Sequence, residues 1–166
     1  YKRQPIHMEL ADRLKEYKDR SNELVDILVK TKGEGFPVIS LEDKGDNGET
    51  IPLQEIDPIT FFCNYNRAVT DENRKGMWKI LKEELQLSQD APINFSGLPN
   101  INMQNARLFP WAKDRPQEHM AIMWDFFIHI LDTELEDLNE ELMDQCLQLQ
   151  QIGKSNLTMG MFWARP

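Results

Sequence analysis

The sequence predicts a mainly helical α+β domain, with four or five helices, a small β-hairpin within residues 36–53 and a C-terminal strand. Three observations carry that prediction. Apolar residues recur at helical spacing near residues 7–30, 58–65, 70–85, 117–132 and 135–152. The turn-forming cluster Asp43-Lys44-Gly45-Asp46-Asn47-Gly48 separates two short β-prone runs, 36–41 and 50–53. The chain closes on the apolar run 157–163, which reads as a strand.

The first helix spans about residues 7–30. Leu10, Leu14, Tyr17, Leu24 and Leu28 form its stripe, Ser21 interrupts it, and Val25 and Ile27 widen it. Its other face alternates acids and bases, a solvated face with local ion pairs. Gly33 and Gly35 end it. The cluster at 43–48 nearly spells a calcium loop, but Gly45 supplies no ligand and Gln54 stands where a bidentate Glu belongs. A hairpin turn fits better. The triplet Glu42-Asp43-Lys44 lacks the acidic partner that a nuclease site needs.

Asp57 before Pro58 is a helix start, and Thr70 with Asp71 and Glu72 is another. This short helix, turn and second helix to about Leu85 hold Asn64, Tyr65, Asn66, Arg67, Asn73 and Arg74 close together. Two readings stand: the polar residues cap and bridge the helices, or they face a ligand with paired donors and acceptors. Gly76 within the second helix costs about 1 kcal/mol against Ala, which points to close packing there.

Residues 88–116 form a long irregular stretch rich in Pro, Asn and Gly. Long loops in compact domains are uncommon and often functional. Asn100, Asn102, Gln104, Asn105 and Arg107 are interleaved there with Phe95, Phe109 and Trp111. Amides, arginine and aromatics together suit a flat, hydrogen-bonding ligand such as a base. An ordered loop whose amides bond their own backbone is the equal alternative.

Helix 117–132 is apolar on nearly every side and is the expected buried central helix. His119 and His129 fall on different faces without a third ligand, so both read as structural. Helix 135–152 carries an acidic outer face of Glu134, Glu136, Asp137, Glu140, Glu141 and Asp144. Gly153-Lys154-Ser155 lacks the glycine and strand of a phosphate-binding loop.

At 166 residues, 40% hydrophobic and 28% charged, the chain fits one ordinary domain, residues 1–166. No apolar run reaches the length of a membrane span, and no signal peptide is visible. Cys63 and Cys146 lie in apolar helical settings and read as buried thiols, which points to the cytoplasm. The net charge of −9 argues against a simple grip on nucleic acid. Only residues 58–115 carry an appreciable basic excess, 8 cations against 6 anions. Familiar zinc, thiol, serine-hydrolase and dinucleotide motifs are missing, so no catalytic residue and no cofactor are expected. The abrupt end after a Trp-containing run reads as that of a fragment of a longer protein.

Several stretches in one order resemble a known family: residues 55–62, Asn66-Arg67, 70–74, 95–99 with Asn102 and Gln104, and 157–163 with Pro166. Over residues 7–166 the chain resembles the N-terminal region upstream of the AAA+ GTPase motor in McrB-like subunits of modification-dependent (type IV) restriction systems. The resemblance implies a phage-defence DNA-recognition module, with double-stranded DNA, including modified DNA, and a nuclease subunit as partners. It also implies that any GTPase motor lies beyond residue 166, and it implies no membrane. The candidate nucleic-acid contacts are Asn64, Tyr65, Asn66, Arg67, Asn73, Arg74, Asn102, Asn105, Arg107 and Trp111. The arginines are expected on phosphate or a base edge, the amides on the base, and Trp111 or Tyr65 stacked. The rival expectation is a protein-interaction module docking a partner through the acidic C-terminal helix. A base-excision enzyme would need an activated carboxylate or lysine in an aromatic pocket, and the sequence singles none out.

Overall fold

A computed structural model describes residues 4–165 of the chain. Its elements are α1 (Pro5–Leu14), α2 (Asn22–Gly33), β1 (Glu42–Lys44), β2 (Thr50–Pro52), α3 (Pro58–Tyr65), α4 (Asp71–Glu84), α5 (His119–Asp132), α6 (Glu140–Gln148) and α7 (Lys154–Ala164). The mainly helical α+β class is as the sequence predicts. The two strands pair antiparallel with Asp43 opposite Ile51.

Helix α3 is the axis of the molecule, because all eight of its residues are buried. Asp57 caps it, accepting from the Thr60 N–H at 2.8 Å and the Thr60 hydroxyl at 2.5 Å. Helices α4, α5 and α7 pack around it. The expected central helix, α5, instead keeps Ala121 and Asp125 in solvent. The core runs continuously through Leu10, Leu28, Phe61, Phe62, Trp78, Phe127 and Trp163.

Four expectations are corrected. The C-terminal run is helix α7, not a strand. Leu157, Gly160 and Trp163, with Ala164, keep to one buried face at helical spacing. Gly160 lets α7 close on α3, for a Cβ there would stand 2.5 Å from Ile59 Cγ2. The first helix is broken between Leu14 and Asn22 by a 3-10 turn, Lys15–Tyr17. The run 36–41 forms no strand: Ile39 N–H donates to Asn64 Oδ1 at 2.9 Å and Arg67 Nη2 donates to the Pro37 carbonyl at 2.7 Å, while the Leu41 carbonyl accepts from Leu53 N–H at 2.8 Å. The acidic helix starts only at Glu140, where Asn139 Oδ1 accepts from the Glu141 and Leu142 N–H groups. Gly76 packs closely, as the sequence implies, against the Phe36 ring.

Candidate nucleic-acid interface

The polar group of α3 and α4 is built inward. Asn66 donates from Nδ2 to the Phe62 carbonyl at 3.1 Å, and its Oδ1 accepts from Arg74 Nη2 at 3.4 Å. The Arg74 guanidinium lies over the Phe95 ring, 3.9 Å from its centre. The Arg67 and Asn64 side chains hold the 36–39 backbone, as above. Tyr65 packs between Phe61 and Trp78, and burial pushes its phenol far above the usual range. Asn64, Tyr65, Asn66, Arg67 and Arg74 are therefore buried ties, and the expectation that they face a ligand is corrected. The physical reason is that α3 is covered on every side, while Asn66, Arg67 and Arg74 beside it donate to the Phe62 carbonyl, the Pro37 carbonyl and Asn66 Oδ1. Asn73 stays half-exposed at the start of α4, apart from this group's hydrogen bonds.

The 88–116 loop is ordered rather than loose. Ile101 bridges to Arg67 in parallel, with Ala68 N–H on its carbonyl at 2.9 Å and its own N–H on the Asn66 carbonyl at 3.0 Å. Leu108 N–H donates to the Thr60 hydroxyl at 3.2 Å, and the Trp163 indole donates to the Pro99 carbonyl at 3.2 Å. Asn102 caps a 3-10 turn, Met103–Asn105, accepting from Gln104 N–H at 2.9 Å. The loop thus buries Phe95, Leu98, Ile101 and Phe109 while leaving Asn102, Asn105 and Trp111 in solvent.

Arg107 is the pivot of the exposed side. Its guanidinium sits 4.5 Å from the ring centres of both Phe109 and Trp111. It donates to the Glu42 carbonyl at 2.6 Å and to Asp43 Oδ1 at 3.0 Å. Asp43 is buried and also accepts from Lys44 N–H at 2.9 Å, Ala112 N–H at 2.8 Å and Arg115 Nη1 at 3.1 Å. Burial opposes its ionisation, but the two amides and two guanidiniums outweigh that and hold the carboxyl below its ordinary value. Asp43 therefore ties the hairpin to the loop rather than serving merely as a turn residue. That role was invisible in the sequence, since its partners lie 64 to 72 positions away.

Beside Arg107 opens a cleft of about 330 Å³ lined by Gln104, Asn105, Arg107, Gln151 and Asn156. The side-chain amides of Gln104, Asn105, Gln151 and Asn156 enter no intramolecular hydrogen bond among the described residues. Gln151 is held at φ 68°, a left-handed conformation that costs a non-glycine residue about 1–2 kcal/mol. Of the sequence candidates, Asn105 and Arg107 line this cleft, with Asn102 and Trp111 on the same loop. Gln151 and Asn156 were missed as site residues; the amide-rich run 148–156 was the available signal. A larger cleft of about 830 Å³ lies under the exposed Ile93, but its charges balance and Lys82 is already paired with Asp90 at 3.2 Å.

The acidic surface is present as the sequence predicts: Glu134, Glu136, Asp137, Glu140, Glu141 and Asp144 are all exposed. Among the residues whose exposure is described, the large exposed apolar ones, Met8, Val29, Ile93, Met103 and Trp111, lie outside this segment. Among the described residues no group of three or more His, Cys, Asp or Glu could hold a metal ion, and no helix is long and apolar enough to cross a membrane. His119 is fully buried, and burial lowers its pKa, so it stays neutral within the packing.

The family model described as a domain of unknown function (DUF8425) matches residues 4–166. No curated protein and no solved structure matches the chain.

Proposed function

We propose that this chain, which belongs to the DUF8425 family, is a DNA-recognition module acting within a cytoplasmic, McrB-like restriction complex. The observation that carries the reading is Arg107, stacked between Phe109 and Trp111 and fixed by Asp43, next to four amides that bond to none of the described residues. A guanidinium whose rotamer is already set loses little entropy on meeting a phosphate or a guanine edge. Free amides alongside give the paired donors and acceptors that base-edge contacts use. The sequence resemblance to regions upstream of AAA+ GTPase motors supports the same reading. The recognition work belongs to Asn102, Asn105, Arg107 and Trp111, with Gln151 and Asn156 added. Asn64, Tyr65, Asn66, Arg67 and Arg74 are buried and hold the packing around α3 and α4 instead. No catalytic group or resident cofactor is assigned, and a nuclease subunit supplies cleavage.

The module is acidic overall, so it grips few phosphates. Its binding is expected to weaken with salt at a slope of about −1 to −3, far shallower than that of a basic DNA-binding protein. Fluorescence anisotropy tests this with plain, cytosine-methylated, hydroxymethylated and adenine-methylated duplexes across a salt series. Tighter binding to one modification, weakened by Asn105→Ala or Trp111→Ala, is the expected result. No binding to any duplex at low salt overturns the proposal and favours docking to a protein partner.

A further inference from the structure

We infer that His129 is a pH-operated clasp on the start of α6, holding the acidic segment 134–144 in place when neutral and releasing it when protonated. The inference stands apart from the DNA reading and rests on a hydrogen bond of fixed direction. The Asn139 backbone N–H lies 2.9 Å from His129 Nε2. A backbone amide only donates, so Nε2 has to be the bare, accepting nitrogen. The proton of the neutral ring then sits on Nδ1, which donates to the Thr133 hydroxyl at 3.2 Å. In the imidazolium both ring nitrogens carry hydrogen, and Nε2–H would meet the Asn139 N–H head-on.

The clasp holds the first turn of α6. Asn139 Oδ1 accepts from the Glu141 and Leu142 N–H groups at 2.9 and 3.3 Å, and the Asn139 carbonyl accepts from Met143 N–H at 3.2 Å. Those amides depend on where Asn139 sits, and the His129 ring takes its N–H. The start of the connecting segment is anchored separately by Arg165. That side chain donates to the Ile130 carbonyl at 3.1 Å, to the Thr133 carbonyl and to Glu134 Oε2 at 2.8 Å. A guanidinium keeps its charge at physiological pH, whereas an imidazole does not. Of the two anchors, only His129 responds to acid.

The surrounding charges give the cationic ring a partner. On α5 itself, Asp125 and Asp132 are taken by Lys18 and Lys15, each at 2.7 Å. The connecting segment and α6 bring Glu134, Glu136, Asp137, Glu140, Glu141 and Asp144, all exposed. Only Glu134 of these is in an ion pair among the described residues. From α7 come Lys154 at its start and the opposing cation Arg165 at its end, and from α3 the buried Asp57 and Cys63. A protonated ring, unable to keep Asn139, turns to a carboxylate of 134–141. The rest of α6 stays docked through Cys146, which is buried with its thiol 3.9 Å from the Ile122 carbonyl. Acid thus re-aims the acidic face without unfolding the domain.

The 166-residue chain is followed by NMR between about pH 8 and 5.5, the range in which imidazole changes charge. Ring nitrogen shifts report the tautomer and charge of His129. Hydrogen exchange, corrected for intrinsic rates, reports the protection of the Glu141, Leu142 and Met143 amides. The expected result is the Nδ1–H tautomer at the top of the range, then protonation, with the Asn139 amide signal moving at the same midpoint. Protection of those first-turn amides falls about three- to tenfold, as the loss of one hydrogen bond implies, while the amides of α4 keep theirs. His129→Gln offers an acceptor that does not titrate, and its α6 is expected to be equally protected at both ends of the range. An Nε2–H tautomer, or a ring that stays neutral throughout, overturns the clasp. So does a ring that titrates while the α6 amides do not respond. An equal loss of protection in His129→Gln assigns the response to another group and overturns it as well. The tautomer and the shared midpoint are read on the natural chain, so they decide the matter even where the variant fails to fold.

Discussion

Asp43 and Asp57 are both buried acids, and their surroundings push them in opposite directions. Two backbone amides and two arginines favour the charge of Asp43 despite its burial. At Asp57 burial outweighs the hydrogen bonds from Thr60 and Ile59, and the carboxyl is raised. The pH consequences therefore differ in sign. Asp43, depressed in the folded state, contributes stability fully above its unfolded pKa of about 3.9, and that contribution is lost as pH falls through the folded value. Asp43→Asn is expected to lose about 1–3 kcal/mol near neutral pH by denaturant unfolding, since it removes the charge with which two half-buried guanidiniums pair. The gap to the natural chain closes in acid. Asp57 runs the other way: its folded state binds the proton more tightly, so its ionisation weakens the fold as pH rises through the raised value. Asp57→Asn, which keeps an acceptor for the Thr60 N–H, is expected to unfold no more easily than the natural chain at pH 7. Asp57→Ala loses the cap and about 0.5–2 kcal/mol. The Asp57 cap was legible because its partners lie three residues on. The Asp43 network was not, because it depends on where the chain returns.

Among the elements, the helices starting at Pro58 and Asp71 could be placed from local chemistry: Asp57-Pro58 and Thr70-Asp71 are start signals that act within one turn. Helix α7 was misread because its apolar residues cover several sides, which blurs the distinction between helical and strand periods. What separates the two is the small residue: Gly160 faces α3 directly. Gly160→Ala would drive a methyl group into Ile59, which sits on a fully buried helix and has nowhere to go. The expected cost is about 1–3 kcal/mol, read as a lower midpoint in urea. If α7 were loosely docked instead, the substitution would stabilise the helix slightly through propensity. The 36–41 segment was misread as a strand for a related reason: the side chains of Asn64 and Arg67 take backbone groups of Ile39 and Pro37, and strand propensity says nothing about those.

At the scale of the molecule, burial separates side chains that chemistry alone would group together. Trp78, Trp124 and Trp163 are buried, whereas Trp111 is 38% exposed. Iodide should quench only the Trp111 fraction of the native fluorescence, and Trp111→Phe should abolish that fraction. Both thiols are buried, and burial pushes Cys63 well up and Cys146 to about 12. Neither should react with Ellman's reagent at pH 8 until denaturant is added; prompt labelling of the native chain would contradict this packing. The general class and the irregular course of residues 88–116 were legible from composition and turn chemistry. How the loop is pinned was not, since that depends on α3, α7 and the hairpin meeting its backbone at Leu108, Pro99 and Ala112.

The cleft has one wall from residues 104–107 and the other from 151–156. A ribosome delivers the chain from its N-terminus at about 5–20 residues per second. The first wall therefore waits for seconds, half made, before the second emerges. During that interval the nascent chain carries most of its core yet only one side of the cleft, which is complete once synthesis has passed Asn156.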